Sequence, residues 1–268
     1  MDAECIERAV NASTFWRDLV YLGQTSSTND VAKDLAAHGA PEGAVVVAEE
    51  QTAGRGRLNR RWIAPPRTSL LCSFLFRPNL RPVQTNRLTM LCSMAAADTV
   101  QNLCGLSVAL KWPNDLIVAT RDPAQATPNW RKLAGVLTEM GLSSGDLSFA
   151  IVGIGVNVNV PAEELTALAP DATSILTETG LETDRSELLV RLLEHVEMRY
   201  ERLRMGENPC QEWSSRLATL DQRVRVTTSD GVLRGMAEAV DEDGALLLRA
   251  DDDSLHRLLT ADVTLAEA

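Results

Sequence analysis

The sequence predicts an α+β protein in which a larger part, built from strands and helices, precedes a small β-barrel. Up to about residue 220, long segments with apolar residues at helical spacing alternate with short β-branched runs. From Asp221 onward the chain reads as short strands separated by Asp-Gly turns, which is typical of a small barrel. We therefore predict two domains, residues 1–220 and 221–268.

Composition indicates an ordinary globular protein of 268 residues, with 45% hydrophobic and 24% charged residues. The net charge of -11 argues against nucleic-acid binding, which usually needs a basic face. No apolar run approaches the ~20 residues that cross a bilayer, and the N-terminus lacks a signal-peptide pattern. We therefore expect a cytoplasmic protein with neither nucleic-acid nor membrane partners. The five cysteines are widely spaced, so we expect reduced thiols, and no zinc-site spacing is present.

A glycine- and arginine-rich segment, residues 51–62, is the most distinctive stretch. It reads Q-T-A-G-R-G-R-L-N-R-R-W, and no acidic residue occurs between Glu50 and Asp98. Glycine lets the backbone approach a ligand, and arginine pairs with phosphate or carboxylate through two parallel hydrogen bonds. The segment predicts a site for a phosphorylated small molecule. A solvated surface loop would have the same composition, so this alternative stays open at this point.

Two helices are expected before this segment. Apolar spacing predicts the first over residues 4–20 and the second after Ser27, with Gly39 as its end. Ser27 and Asp30 have the spacing of a capping box. The hydroxyls of residues 24–30 fit either helix capping or contact with a polar ligand at a helix N-terminus.

Buried strands are predicted at residues 43–50 and 69–76, so the arginine segment joins two strands, and a long helix begins at Thr85. A strand over residues 108–115 brings Lys111, Asn114 and Asp115 together, which fits either a polar site or a plain Pro-Asn-Asp turn.

Residues 119–131 are expected to form a surface hairpin loop or a mobile insert, and residues 132–140 a strand with Lys132 at its start. Residues 149–160 predict a central strand whose glycines, Gly153 and Gly155, clear space on one face for a ring system. A further helix is expected to open at Asp184 or Ser186.

Five stretches in order resemble the biotin protein ligase family. They are S-S-T-N at 26–29, residues 51–62, K-W-P-N-D at 111–115, K-L-A-G-V-L at 132–137 and G-I-G-V-N at 153–157. The resemblance covers roughly residues 25–265 and implies a catalytic domain like that of class II aminoacyl-tRNA synthetases, with a mixed sheet, followed by an SH3-like barrel. Because the chain begins without the helix-turn-helix domain of the bifunctional members, we expect no repression of transcription.

The resemblance also implies roles for particular residues. Those implied to contact biotin are Ser27, Thr28, Asn29, Gln51, Arg55, Gly56, Arg57, Lys132, Gly135 and Gly155. Those implied to contact the nucleotide are Arg57, Trp62, Lys111, Asn114, Lys132 and Asn157. Lys132 and Arg57 are the implied catalytic residues. The sequence does not identify the ligands of a metal ion, for which Asp115 is a candidate.

The implied reaction uses ATP and biotin as substrates, with Mg²⁺. Biotin is activated to biotinyl-5′-AMP and then transferred to a lysine of a biotin carboxyl carrier protein. Two alternatives stay open: a lipoate or octanoate ligase, which shares the fold and the adenylation chemistry, and a module that senses biotin or nucleotide without turnover, for which the same pocket residues would serve. The G-G-G-rich signature and neighbouring histidine of lipoate ligases do not occur in this sequence.

Overall fold

The computed structural model describes residues 1–120, 129–228 and 231–265. In these residues seven strands form the larger sheet: β1 (Asp18–Leu22), β2 (Ala44–Ala48), β3 (Ser69–Phe76), β4 (Ala109–Lys111), β5 (Asp115–Thr120), β6 (Asn129–Ser143) and β7 (Asp146–Asn157). The α-helices in the same ranges are α1 (Ala3–Ala12), α2 (Thr28–Ala37), α3 (Asn86–Cys104), α4 (Ala162–Leu168), α5 (Ile175–Thr179), α6 (Arg185–Arg204) and α7 (Cys210–Ser215). None of these helices is long and apolar enough to cross a membrane.

The larger sheet is mixed, with strand order β1-β2-β3-β7-β6-β5-β4. Strands β1 and β2 are parallel, and every other neighbouring pair is antiparallel. Strand β7 lies in the middle of this order, as its run of β-branched residues and glycines predicts. Strands β2 and β3 are wholly buried because helices cover both faces of the sheet: α3 and α6 contact one face and α2 the other.

A second, five-stranded sheet follows, with strands β8 (Arg223–Thr228), β9 (Gly231–Val240), β10 (Leu246–Ala250), β11 (Leu255–Leu258) and β12 (Asp262–Leu265). Its order is β11-β10-β9-β8-β12 and all its pairs are antiparallel, so the predicted short strands are confirmed. The Trp112 indole nitrogen donates to the Gly244 carbonyl over 2.9 Å and ties this sheet to the K-W-P-N-D hairpin. The domain boundary at residue 220 stays a prediction.

The predicted helix over residues 4–20 is wrong in its second half. Helix α1 ends at Ala12, and residues 18–22 form the edge strand β1, paired with β2. The Ser13 and Thr14 hydroxyls donate to Glu197 of α6, and the Trp16 indole packs against Phe74 of β3. These tertiary contacts turn the chain where local spacing alone would continue the helix.

The predicted capping box at Ser27 is also wrong, although α2 does begin after Ser27. Among the described residues, the Ser27 side chain makes no capping hydrogen bond. The Asp30 carboxylate instead accepts two hydrogen bonds from Arg55, at 2.7 and 2.6 Å. The Gln51 side-chain oxygen accepts from the Thr28 backbone N–H at 2.7 Å, so the first turn of α2 is satisfied from the arginine segment.

Strand β6 is longer than predicted and begins at Asn129, so Lys132 lies within the strand and not at its start. Residues 119–120 and 129–131 pair as the ends of β5 and β6. The rest of the predicted surface loop, residues 121–128, lies outside the described residues.

Glu49, directly after β2, fixes the chain where the arginine segment begins. Its carboxylate accepts hydrogen bonds from the Tyr21 hydroxyl, from Arg185 at 2.7 Å and from the chain's amino group at 2.5 Å. Burial alone raises the pKa of Glu49, but these hydrogen bonds outweigh it and lower the pKa to about 2. The carboxylate therefore stays charged and holds the end of β2 against α6.

Candidate functional site

The arginine segment folds back on itself beside the edge of the larger sheet. The Trp62 N–H donates to the Gly54 carbonyl at 2.9 Å, and the Gly56 N–H donates to the Arg60 carbonyl at 2.7 Å. Gly54 is required here because a Cβ at this position would lie 2.6 Å from the Trp62 carbonyl oxygen. The fold-back turns the segment over the sheet face that carries the glycines of β7.

One cavity lies beneath the segment, and every predicted site residue except Asn157 lines it. The predicted residues that line it are Ser27, Thr28, Asn29, Gln51, Arg55, Gly56, Arg57, Trp62, Lys111, Asn114, Lys132, Gly135 and Gly155. The four separated motifs and the glycine strand thus meet at one place. The predicted site residues are brought together by the fold, while the individual roles assigned to them stay predictions.

Neutral polar groups form one end of the cavity. The Gln51 side-chain oxygen lies 3.1 Å from the Thr28 hydroxyl, which lies 2.7 Å from the Ser73 hydroxyl. Ser73 is fully buried on β3 and lies 2.6 Å from the Asn29 side-chain oxygen. The hydroxyl and amide groups at this end form a connected hydrogen-bonded cluster.

Asn29 is held beneath this cluster by the absence of a side chain at Gly153. A Cβ on Gly153 would lie 2.2 Å from the Asn29 side-chain oxygen. The Asn29 amide nitrogen donates to the Glu139 carboxylate at 2.7 Å and approaches the Leu137 carbonyl at 3.5 Å. Both ends of the amide are therefore used within the protein, which fits an orienting role better than direct ligand contact.

The Trp62 indole covers the other glycines. A Cβ on Gly155 would lie 2.6 Å from Cε2 of this ring, and one on Gly135 would lie 3.4 Å from its Cζ3. The ring space predicted above the glycine strand thus holds an aromatic ring of the protein itself. Within the described residues, the buried Trp62 indole N–H has no hydrogen-bond partner.

Cations form the opposite end of the cavity. Lys132 Nζ lies 2.6 Å from an Asp115 carboxylate oxygen and 5.8 Å from the Trp62 ring centroid. Burial lowers the pKa values of both Lys111 and Arg57, an effect that Asp115 and Asp262 only partly offset. Because desolvated cations gain most from a nearby negative charge, this end suits an anionic ligand.

The backbone of Lys132 is fixed by a loop that the sequence did not connect to it. Its N–H donates to the Asp171 carbonyl and its carbonyl accepts from the Thr173 N–H, both at 2.8 Å. The Asn157 amide nitrogen donates to the Thr173 carbonyl at 3.0 Å, which explains why Asn157 does not line the cavity. In this structure Asn157 supports the loop that holds Lys132, and its predicted nucleotide contact stays a prediction.

Residues of the second sheet complete the cationic end. The Arg57 guanidinium donates to the Thr260 hydroxyl at 2.7 Å and to the Asn114 side-chain oxygen at 3.4 Å. Arg60 pairs with the Asp262 carboxylate, which also lines the cavity. Nothing in the local sequence around Thr260 indicates this role, because contacts some two hundred residues apart leave no local pattern.

The sequence analysis did not predict two further residues of the site, Glu139 and Ser73, although the strand pattern contains a signal for each. Glu139 lies on the same face of β6 as Gly135, by the two-residue alternation of a strand, and Ser73 is a hydroxyl within the otherwise apolar run of residues 70–76. Glu139 also accepts a hydrogen bond from Arg55 at 3.2 Å. In the residues that the structure covers, no group of three or more acidic, cysteine or histidine side chains is arranged for a metal ion.

This fold and site define an α+β protein with a cavity that suits a small molecule with a neutral polar head and an anionic end. Residues 21–157 match the Biotin/lipoate A/B protein ligase family, and residues 219–265 match the Biotin protein ligase C terminal domain.

Individual relatives agree. The chain is 35% identical over 250 residues to the biotin--[acetyl-CoA-carboxylase] ligase of Mycobacterium tuberculosis, covering 90% of this chain and 87% of that protein. It is 32% identical over 250 residues to the bifunctional ligase/repressor BirA of Bacillus spizizenii, covering 92% and 74%. The Aquifex aeolicus biotin protein ligase, solved in complex with biotin and ATP, has a TM-score of 0.73 and 25% identity, covering 94% of this chain and all of that one.

The chain belongs to the Biotin/lipoate A/B protein ligase family. The expected fold class, a class II synthetase-like domain with a mixed sheet followed by a C-terminal β-domain, is confirmed by this membership and by the two sheets. Closure of the antiparallel C-terminal sheet into an SH3-like barrel stays a prediction. The resemblance inferred from the five sequence stretches is likewise confirmed.

Proposed function

We propose that this protein is a biotin protein ligase that uses ATP to activate biotin as biotinyl-5′-AMP and transfers it to a lysine of a biotin carboxyl carrier protein. The observation that carries the proposal is the polarity of the cavity, with neutral polar groups at one end and cations at the other. Biotin has the same polarity, because its ureido ring is neutral and rich in hydrogen-bonding groups and its tail ends in a carboxylate.

The same observation favours biotin over lipoate within the family. A ureido ring offers two N–H donors and one carbonyl, and burying it requires matching partners. Thr28 and Gln51 supply both donors and acceptors at the polar end. The dithiolane ring of lipoate has no such groups and would leave these side chains without ligand partners.

In the first step the biotin carboxylate attacks the α-phosphorus of ATP, and pyrophosphate leaves. A carboxylate and a triphosphate repel each other, so the cationic end has to offset their combined charge. We assign this work to Lys132 and Arg57, with Lys111 facing the nucleotide. Lys132 would exchange its present partner, Asp115, for the two anions, and the strand and loop that fix its backbone keep it in place.

Mg²⁺ fits this site as an ion shared with the nucleotide, since it is commonly held by one or two carboxylates together with substrate phosphates. Asp115 would be the protein ligand among the cavity residues, and the ion would add charge neutralisation at the phosphates.

In the second step the carrier lysine, as a neutral amine, attacks the acyl carbon of the mixed anhydride, and AMP leaves. The arginine segment would shield the anhydride from water until the carrier arrives. The carrier protein and a cytoplasmic location belong to this proposal. All five cysteines are free thiols, which suits a reducing compartment.

The test is exchange of labelled pyrophosphate into ATP, measured with biotin, with lipoate, with octanoate and with no acid. We expect exchange with biotin alone. Exchange that depends on lipoate or octanoate would replace the proposed substrate. Tight biotin binding without exchange would identify a sensor in place of an enzyme.

A further inference from the structure

Arg55 lies at the base of the short hairpin that residues 54–62 form, here called the arginine hairpin. Its backbone bridges to Arg61 across the hairpin. Its guanidinium donates two hydrogen bonds to the Asp30 carboxylate of α2, at 2.7 and 2.6 Å, and a third to the Glu139 carboxylate of β6, at 3.2 Å. Forked pairing of this kind fixes the direction of a guanidinium as well as balancing its charge.

Arg55 makes every hydrogen bond that joins the arginine hairpin to α2 or β6, within the part of the chain that the structure describes. Residues 52 and 53, just before the hairpin, are held by backbone hydrogen bonds to residues 25 and 26. Those backbone bonds stop there, and Arg55 stands between Gly54 and Gly56, whose rotational freedom makes the backbone easy to move. The Arg55 side chain therefore fixes the base of the hairpin where the backbone does not.

The charges around Arg55 cancel. Lys33 of α2 pairs with Glu139, so two cations, Arg55 and Lys33, face two carboxylates, Asp30 and Glu139. Hydrogen bonds from Arg55 outweigh burial and hold the pKa of Asp30 below its usual value, so this carboxylate is charged at neutral pH. Burial raises the pKa of Glu139, but hydrogen bonds from Lys33 and Asn29 outweigh it and lower this pKa as well. The cluster thus holds Arg55 without adding net charge beside the neutral end of the cavity.

Arg57, two residues further along, is held differently. Its guanidinium donates to two neutral oxygens, those of Asn114 and Thr260. Burial lowers the pKa of Arg57, and nearby carboxylates only partly offset this effect. Hydrogen bonding to Asp30 instead raises the pKa of Arg55. Arg57 is therefore a cation with capacity for an anionic ligand, whereas the charge of Arg55 is already paired within the protein.

We propose that Asp30, acting through Arg55, is a positioning residue that fastens the base of the arginine hairpin at the neutral end of the cavity and thereby sets how long the ligand head stays bound. Arg55 lines the cavity together with Thr28 and Gln51, so a head bound there lies beside the base of the hairpin, and motion of this base opens its way out. The identity of the head, the ureido ring of biotin, rests on the proposed function. Asp30 does not line the cavity, so its effect on the ligand has to pass through Arg55.

Asparagine at position 30 tests this role at almost constant shape. Asp30→Asn keeps the size of the side chain but removes its charge and one of the two acceptor oxygens that Arg55 uses. The Asp30 side chain is 41% exposed, so the variant is expected to fold. Asp34→Asn is the matched control, since Asp34 is an exposed aspartate one turn further along the same helix. Arg55→Gln and the double variant of Asp30→Asn with Arg55→Gln complete the set.

The experiment measures the dissociation rate of labelled biotin during a chase with unlabelled biotin, and the kcat and the KM of ATP by pyrophosphate exchange. We expect Asp30→Asn to raise the dissociation rate about fivefold, which corresponds to about 1 kcal/mol, the upper end for a partly exposed ion pair. The kcat of exchange and the KM of ATP should stay within about twofold of the wild type, because the cations Lys132 and Arg57 lie at the other end of the cavity. Asp34→Asn should change the dissociation rate by less than about twofold. Once Arg55 is replaced, Asp30→Asn should have no further effect, since its partner is already gone.

Amide hydrogen exchange of the free protein gives a second measurement that needs no ligand. The N–H groups of Gly56 and Trp62 close the hairpin by donating to the carbonyls of Arg60 and Gly54. Their exchange should rise about fivefold in Asp30→Asn and stay at the wild-type rate in Asp34→Asn.

A biotin dissociation rate unchanged by Asp30→Asn would overturn the proposal. An effect of Asp30→Asn that persists in full without Arg55, or an equal effect of Asp34→Asn, would overturn it as well. The positioning role and the ligase function fail separately. Biotin binding without pyrophosphate exchange would refute the ligase function and leave the comparison of dissociation rates intact, whereas unaltered amide exchange of the hairpin in Asp30→Asn would refute the positioning role alone. A wild type that does not bind biotin would overturn both.

Discussion

Gly153 and Gly155 lie two residues apart on the same face of β7, yet alanine is expected to have opposite effects at the two positions. At Gly153 the added Cβ would lie 2.2 Å from the Asn29 side-chain oxygen. Asn29 is 4% exposed and hydrogen-bonded at both ends of its amide, so it cannot move away without breaking contacts to Ser73 and Glu139.

The cost of Gly153→Ala can be estimated from these contacts. Overpacking in a filled core costs about 1–3 kcal/mol. Disrupting a buried hydrogen bond adds about 1–3 kcal/mol. The total of about 2–6 kcal/mol is a large part of the roughly 5–15 kcal/mol typical of folded proteins. We therefore expect a clearly lower urea midpoint with an unchanged slope.

In Gly155→Ala the added methyl group contacts a side chain that is free to move. The new Cβ would lie 2.6 Å from Cε2 of Trp62, a half-buried ring whose N–H has no partner among the described residues. Displacing this ring breaks no hydrogen bond that the structure describes, so we expect stability within about 1 kcal/mol of the wild type. Biotin affinity should nevertheless fall at least about tenfold, because the methyl group displaces the Trp62 ring, which lines the cavity.

Urea unfolding of both variants, together with biotin titration of Gly155→Ala, separates these expectations. When unfolding is followed by tryptophan fluorescence, the signal of Trp62 is mixed with that of the other four tryptophans. The same measurement in a Trp62→Phe background serves as the control. Equal unfolding midpoints for the two variants would refute the reasoning, since it depends on one neighbour being fixed and the other free to move.

Three further predictions concern the cations, the pH dependence and the second sheet. Lys132→Ala should fold normally and lower biotin-dependent exchange about 30- to 1000-fold, as expected for one cation facing two anions; exchange within threefold of wild type would contradict its role. Glu49→Gln should flatten the acid side of the stability profile. The pKa of about 2 lies below the ordinary 4.5, so the stabilisation is complete above pH 4.5 and is lost as the pH falls towards 2. Urea midpoints of the two proteins should converge between about pH 6 and about pH 3, and a constant gap would count against this. Asp262→Asn should raise amide hydrogen exchange across residues 54–62 while changing the free energy of unfolding by less than about 1 kcal/mol, because its partner Arg60 is mostly exposed. Unchanged exchange would mean that the second sheet does not restrain the segment.

The local sequence pattern was sufficient to predict a helix or strand where the residues that stabilise it are close in sequence. The strand at residues 69–76 and the helix after Asp184 were predicted because burial and capping leave a short-range signature. Residues 4–20 show the limit of this reasoning. Their spacing fits a helix, but residues 18–20 instead pair with β2 as part of β1, and that pairing cannot be predicted from the segment itself.

The same limit applies within the site. The motifs located the cavity because four of the five end a strand or open a helix, and the fifth, residues 132–137, lies within β6 next to the glycines of β7. The sequence could not connect Lys132 to Asp171, or Arg57 to Thr260, because those contacts join segments that share no local pattern. It therefore located the cations of the site but not the groups that hold them.

The second sheet shows why net charge alone was an incomplete guide. Its acidic composition predicted no attraction for nucleic acid, which stays a prediction, and gave no reason to place it at an anion-binding site. In the structure its Asp262 faces Arg57 and Lys111, whose pKa values burial lowers, and partly offsets that effect. A carboxylate in this position, together with Asp115, partly offsets the cost of desolvating the two cations, and an anionic ligand can then take over the same cations. The acidic residue is thus compatible with anion binding because its pairing is exposed and weak.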